Sequence, residues 1–317
     1  MKNIVKIIIL AITVSVFASC EYEIDYNDAL NNDKMVVATF LEEDSTISFS
    51  VLHSAKPGTF DNNKSLITNT EKFATESLVR NCVVGLFANN QNMENLNGTN
   101  GQEYVFSYKP KHNDNIKITI SNDKYPNIVS QNKINLTQPQ IDSFNYYLER
   151  KDDQTNLIVY FEIKDDGNEN YYQIAPNIRY SSSSSYFDGD AELKNASVVY
   201  ESHQGVYQEN NISFGKATNN YGVFANKKFR GQTYKLKLSF KLNNSLFKST
   251  KYKVSGSFMI NKIDGKSYTY LHTLSNYKNS SVLNTTPVII VDGIENAYGF
   301  IGVKKTWKKT ISATLSK

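Results

Sequence analysis

Cys20 is the residue whose neighbours prescribe its chemistry most clearly. It follows the small pair Ala18-Ser19 at the end of the apolar run from Ile7 to Phe17, and Lys2 and Lys6 supply a short basic start. That run is too short to span a bilayer comfortably, so residues 1–19 read as a secretory signal. A cysteine directly after small residues fits a bacterial lipobox, although Phe17 stands where Leu is usual. In a lipobox the peptide is cut before the cysteine, and the thiol and new amino group carry acyl chains. Several chains on one residue supply more than the marginal, reversible binding of a single chain. An ordinary cleaved signal and an uncleaved anchor are the alternative readings. Glu21, Glu23, Asp25, Asp28 and Asp33 then arrive before Lys34, the first basic residue after the signal. A solvated acidic tether over 20–33 accounts for them. The sharper expectation is a tag for transfer to the outer face of an outer membrane.

Other residues that could do chemistry are scattered. His53, His112, His203 and His272 are isolated from one another, and none has a Cys or His partner at metal-ligand spacing. Asp165-Asp166-Gly167-Asn168-Glu169 and Asp188-Gly189-Asp190-Ala191-Glu192 set oxygen ligands around a glycine, which suits calcium. Neither run has the spacing of a helix–loop–helix calcium loop, and acidic turns between strands are common. The sequence therefore calls for no metal and no cofactor. It holds no nucleophile elbow, phosphate-cradling glycine loop or zinc-protease helix, so no catalytic residue is assigned. Lys304, Lys305, Lys308 and Lys309 surround Trp307. They read as a basic strand face in solvent, with lipid head groups or an acidic partner as the alternative. Tyr171, Tyr172, Tyr180, Tyr186 and Phe187 lie around the run Ser181–Ser185. Tyrosine joins apolar area to a polar tip and suits sugar- or peptide-binding surfaces, but core positions account for most such residues.

Elements of period two must position all of these. Tyr234-Lys235-Leu236-Lys237-Leu238-Ser239-Phe240-Lys241-Leu242 has one apolar and one lysine-rich face, which predicts a half-buried antiparallel strand. Ile47–Val51 and Ile116–Ile120 alternate in the same way. Further strands are expected at 35–41, 82–88, 104–108, 157–163, 171–178, 198–202, 252–260, 288–291 and 307–315. The segment 264–277 breaks the pattern: Tyr270, Leu274 and Tyr277 fall at helical spacing, with Asp264 or Ser267 as N-cap. Lys56–Ser77 is polar, opens on Pro57-Gly58 and reads as an exposed loop. Leu136–Ile141, with Pro139, reads as a link between an N-terminal β-sandwich over 34–136 and a C-terminal β-rich domain over 141–317. The fold expected is all-β in the main, two sandwich-like domains with one short helix in the second.

The signal removed, 298 of the 317 residues remain and the formal charge falls from +4 to +2, since Lys2 and Lys6 leave. That balance argues neither for nucleic acid nor for an acidic partner, and no nucleic acid is expected. With Cys20 acylated, Cys82 is the remaining cysteine, so no intramolecular disulfide can form. Cys82 sits in the apolar stretch Cys82–Phe87 and reads as a buried structural thiol.

Several short motifs, in order, resemble one family. They are Cys20-Glu21-Tyr22-Glu23-Ile24-Asp25 followed by Met35-Val36-Val37, then Ile141-Asp142-Ser143, and Glu169-Asn170-Tyr171-Tyr172. Val223-Phe224 with Phe229-Arg230-Gly231, Tyr268–Leu274 and Gly293–Gly302 continue the series. This order is similar to domain of unknown function 4249, a lipoprotein family of Bacteroidota-type Gram-negative bacteria. Arg230 stands where that family usually has Asp, and Ala297 where it usually has Gly. The resemblance implies an immunoglobulin- or transthyretin-like first sandwich, a β-rich second domain containing the helix, and a gene context beside TonB-dependent outer-membrane transporters. It brings no catalytic residues.

Three functions compete. The first is a non-enzymatic lipoprotein on the cell surface, held to the outer membrane by its lipid and acting as accessory or ligand-capturing partner of a TonB-dependent transporter. The second is a structural or adhesive surface protein. The third is a hydrolase with a scattered active site.

Overall fold

The computed structural model describes residues 34–53, 78–98, 103–151, 154–182, 189–190, 198–202, 205–207, 222–242, 251–279 and 293–316. Among these residues the chain forms nineteen strands and one α-helix. The first eight strands are β1 (Met35–Leu41), β2 (Ile47–Phe49), β3 (Leu52–His53), β4 (Cys82–Ala88), β5 (Gln91–Gly98), β6 (Tyr104–Phe106), β7 (Asn115–Asn122) and β8 (Tyr125–Lys133). After the stretch containing Pro139 come β9 (Gln140–Lys151), β10 (Gln154–Lys164), β11 (Tyr171–Ile174), β12 (Asn177–Ser182), β13 (Gly189–Asp190), β14 (Val198–Ser202), β15 (Gly205–Tyr207) and β16 (Gly222–Ala225). A 3-10 turn (Asn226–Lys228), β17 (Thr233–Leu242), β18 (Lys251–Ile263), the helix α1 (Gly265–Asn279) and β19 (Ala297–Ser316) complete the described chain.

Two apolar cores organise these strands. The first packs the inward residues of β1, β2, β4, β6 and β7, among them Val37, Phe49, Val84, Phe106 and Ile118, against Ile294, Ala297, Ile301 and Val303. It is bounded by the four-stranded sheet β5-β4-β7-β8 and the pair β2-β6. The second core packs Leu157, Val159, Phe161 and Ile163 of β10 and Leu236, Leu238 and Phe240 of β17 against Tyr172, Val254, Phe258, Ile260 and Ile311. The five-stranded sheet β15-β14-β17-β10-β9 thus faces the eight-stranded sheet built on β13-β12-β18-β19-β1-β3, with β11 and β16 attached to the latter. This is the mainly β, sandwich-like architecture that the alternation predicts. In β17 the even positions 234–240 are buried, while Lys235 reaches across to Glu162 on β10 at 3.1 Å. Half-burial of one strand face is therefore written directly in the order of its residues.

β19 belongs to both cores. Ala297, Ile301 and Val303 enter the first core, Ile311 the second, and Trp307 packs at the second core's margin, while Lys309 between the last two is exposed. At about 3.3 Å per residue the strand is about 65 Å long. On one side it pairs antiparallel with β18, from Ile263↔Lys304 to Lys251↔Ser316. On the other it pairs parallel with β1, from Met35↔Ala297 to Leu41↔Val303. Gly299 has φ +107°, and a side chain there would collide with the Val37 carbonyl, so the close approach of β1 requires glycine. Past Val303 the free edge of β19 is met by side chains. The Thr306 N–H donates to Glu42 at 2.8 Å, Gln138 donates to the Thr306 carbonyl at 3.3 Å, and the Tyr146 hydroxyl bridges Ser312 N–H and C=O at 3.1 and 3.3 Å. Side chains that satisfy an edge remove the template on which a foreign strand would pair.

Asp264 ends β18 and starts α1. Its Oδ1 accepts the backbone N–H groups of Lys266 and Ser267 at 3.0 Å each, and its Oδ2 accepts the Ser267 hydroxyl at 2.7 Å. Of the two capping candidates Asp264 is the cap, and it also holds the Val303 N–H of β19. The first helical turn lies so close to β19 that a Cβ at Gly302 would overlap Ser267 Oγ and Asp264 Oδ2. Further along, Tyr268 stacks on Tyr171 of β11 at 4.6 Å and Tyr270 packs on Phe300 at 5.5 Å. The helix thus lies on the outer face of the large sheet.

Candidate functional site

The acidic run 165–170 folds into a closed polar knot. Asp165 is 7% exposed, and its two oxygens accept five hydrogen bonds. The Gly167 and Gly231 N–H groups donate at 3.0 and 2.8 Å, the Asn170 and Asn226 amides at 3.0 and 2.9 Å, and the Tyr172 hydroxyl at 3.1 Å. Burial pushes the Asp165 carboxyl upward, but these donors outweigh it and hold it below the usual carboxylate range. Asp166 follows the same logic: burial raises it, and Lys262 at 2.9 Å, Asn170 at 2.7 Å and the Asn168 N–H hold it lower still. Lys262 is buried and also donates to Thr137 at 3.3 Å, tying the knot to the stretch before β9. Every carboxylate oxygen of this pair is engaged by a protein donor. The calcium reading of 165–169 therefore meets a loop whose Asp165 and Asp166 oxygens already have partners.

An open groove lies between the end of β8 and the start of α1. It has a volume of about 580 Å³ and is lined by Gln131, Asn132, Lys133, Asn135, Tyr171, Asp264, Gly265, Lys266, Thr269 and Val303. Both walls are fastened to β19: Asn132 donates to the Ile301 carbonyl at 2.9 Å, and Asp264 holds the neighbouring Val303. Tyr171 is fixed as a flat wall by its stack on Tyr268 and by its hydroxyl, which donates to Glu169 at 2.8 Å. A Cβ at Gly265 would meet the Tyr171 ring edge at 3.2 Å, so the helix start fits against this ring because it is glycine. Lys133 and Lys266 are exposed and have no carboxylate within salt-bridge reach among the described residues. A second cleft, of about 410 Å³, lies beside His53, whose Nδ1 is 2.6 Å from the Tyr125 hydroxyl.

The structure separates the residues that the sequence grouped. Tyr171 lines the groove, whereas Tyr172 is buried in the second core, where burial and Asp165 raise its phenol far above the ordinary value. The side chain of Tyr180, and Tyr186 and Phe187 entirely, lie outside the described residues. Cys20, His203, the loop 56–77 and the strand expected at 288–291 also lie outside them. Of the second acidic run, Gly189-Asp190 form β13, and the rest is likewise outside. Cys82 is fully buried beneath Tyr104, and burial raises its thiol above the ordinary value. His112 lies 3.8 Å from Glu43, and His272 leans on Tyr268, burial pushing its imidazole down. Lys304 and Lys305 pair with Glu42 and Glu43 at the end of β1, while Lys308 and Lys309 are exposed. Among the described residues no group of three or more His, Cys, Asp or Glu is placed to hold a metal ion.

Sequence reading missed the groove and the donors of the knot. The groove draws on residues 131–135, 171, 264–269 and 303, and Asn226 and Gly231 reach Asp165 from about sixty positions away. The available signal was local: an Asx-type run at 165–170 beside Tyr172, and a Gly following Asp264.

A two-core, mainly β body with one capped helix defines the class of protein. The chain matches the family described as Domain of unknown function (DUF4249) over residues 20–310, and it belongs to that family. No curated protein matches it.

Proposed function

We propose that the chain is a non-enzymatic lipoprotein on the surface of a bacterial cell, lipidated at Cys20, which captures a ligand as partner of a TonB-dependent outer-membrane transporter. One observation carries this reading: the basic start, short apolar run and Ala18-Ser19-Cys20 sequence end where the family match begins, at residue 20. The shared sequence of the family thus begins at the residue that would become the mature N-terminus. The acidic stretch 21–33 then separates the anchor from the first strand, and its solvated charges hold the folded body away from the membrane. The mature body would consist of the sandwich over 34–136 and the β-rich part over 141–317. For a capture role, the open groove offers a surface built on rigid strands and a helix start. Nucleic acid is not a partner in this reading.

Mass spectrometry of the chain purified from its own membranes tests the anchor. Acylated Cys20 as the first residue supports it, and an unmodified thiol on a protein released into the medium overturns it. Purification of a tagged chain in mild detergent tests the partner. Recovery of an outer-membrane transporter at stoichiometric yield supports the reading, and a chain recovered alone from cells whose surface protease leaves it intact overturns it.

A further inference from the structure

We propose that the groove between β8 and the start of α1 binds a small organic anion, a carboxylate or phosphate, with its body against Tyr171. The argument begins with charge. Four ionisable side chains line the groove: Lys133, Lys266, Asp264 and Tyr171. Asp264 has both oxygens committed, to Lys266 N–H, Ser267 N–H, the Ser267 hydroxyl and Val303 N–H, so it faces the helix start and β19, and the two lysines outnumber its one charge. The Tyr171 hydroxyl is spent on Glu169. What remains available is a pair of ammonium groups that meet no carboxylate among the described residues. Glu169, bonded to the Tyr171 hydroxyl, disfavours an anion at that end of the ring.

Shape and rigidity complete the case. Gln131, Asn132 and Asn135 line one wall with amides, which both donate and accept, and Thr269 lies on the helix side. Tyr171 is held at both its ring and its hydroxyl, so a ligand lying on it pays little to order the wall. The anchors of the two walls, Ile301 and Val303, are two residues apart on β19, about 7 Å along the strand, so one rigid element holds both. A few placed polar groups beside one aromatic surface suit a small anion held in an open groove, with its charged end in water-accessible reach of the lysines.

This assignment rests on the capture reading for its biological use, but its test does not depend on the anchor or on a transporter. Isothermal titration calorimetry of the detergent-solubilised full chain would compare benzoate, its uncharged counterpart benzamide, and inorganic phosphate. Benzoate is expected to bind at least about tenfold more tightly than benzamide, because they share a ring and differ in charge. Lys133→Glu and Lys266→Glu are each expected to weaken both benzoate and phosphate about fivefold or more. Tyr171→Leu is expected to weaken benzoate and leave phosphate unchanged. Lys308→Glu with Lys309→Glu, exposed lysines elsewhere on β19, should change neither. Circular dichroism of each variant checks that the fold is kept. The proposal is overturned if neither anion gives binding heat up to about 20 mM, if benzamide equals benzoate, or if the charge reversals at 133 and 266 have no effect. A chain that binds these anions but brings down no transporter would defeat the transporter reading and leave this site standing.

Discussion

Removing the Asp165 carboxylate is expected to destabilise the second core by about 3–5 kcal/mol. In Asp165→Ala the five donors lose their shared acceptor. Two keep another: the Asn170 amide still reaches Asp166, and the Asn226 amide still reaches the Asn168 carbonyl. Gly167 and Gly231 are exposed, so water replaces part of what their N–H groups lose. Tyr172, 1% exposed, has no such recourse, and its hydroxyl bears the full cost of an unmet donor. An unsatisfied buried group costs about 1–3 kcal/mol, and each lost bond to a charged acceptor about 1.5–3 kcal/mol, which sets the range. Urea unfolding followed through Trp307 is the assay, since this single tryptophan packs on Phe144 at 5.1 Å at the second core's margin. Tyr172→Phe in the Asp165→Ala background should recover a part of the loss, because the orphaned hydroxyl is gone. A cost below about 1 kcal/mol for Asp165→Ala, or no coupling with Tyr172, would refute the reasoning.

The same carboxylates set an acid limit. Asp165 and Asp166 are held below their ordinary range in the folded chain, so their stabilisation is complete above the unfolded value of about 4 and is lost as pH falls through the lower folded values. The wild type should therefore show a falling urea midpoint below about pH 4 that is shallower in Asp165→Ala. Gly302→Val should lift the first turn of α1 off β19 at a cost of about 2–4 kcal/mol, seen as a lowered thermal midpoint; an unchanged midpoint would contradict the close approach. Asp264→Ala removes both cap and strand contact and should cost about 1–2 kcal/mol by the same measurement. The Cys82 thiol should resist iodoacetamide in the native chain and react after unfolding; rapid native labelling would contradict its burial.

Local elements were legible where local pattern decided them. Strands at 82–88 and 198–202 have the bounds that apolar runs predict, and Asp264 caps a helix where the period changes. The single strand expected over 171–178 is two, because Ala175-Pro176 interrupts it and proline cannot donate to the ladder. The strands β5 and β8 escaped notice because they are polar and largely exposed on both faces, Gly98 and Ile128 being their buried residues, so no period-two contrast shows. The strand expected at 307–315 is the distal half of a longer one: Lys304, Lys305 and Gly302 break the apolar rhythm, yet Glu42, Glu43 and the helix start each accommodate them. The parallel pairing of β1 with β19 depends on residues more than two hundred positions apart, and no periodicity reports such a distance. The groove was invisible for the same reason.

That pairing imposes an order of events on biosynthesis. The strand at 35–41 finds its parallel neighbour at 297–303, made more than two hundred residues later. Until those residues emerge, Met35, Val37 and Leu41 lack the surface they cover, and the N-terminal core stays open. Ring closure across so many residues is slow, so this core is completed after the local hairpins have paired. The topology thus postpones closure of that core until β19 has been made, whatever the rest of the chain has already done.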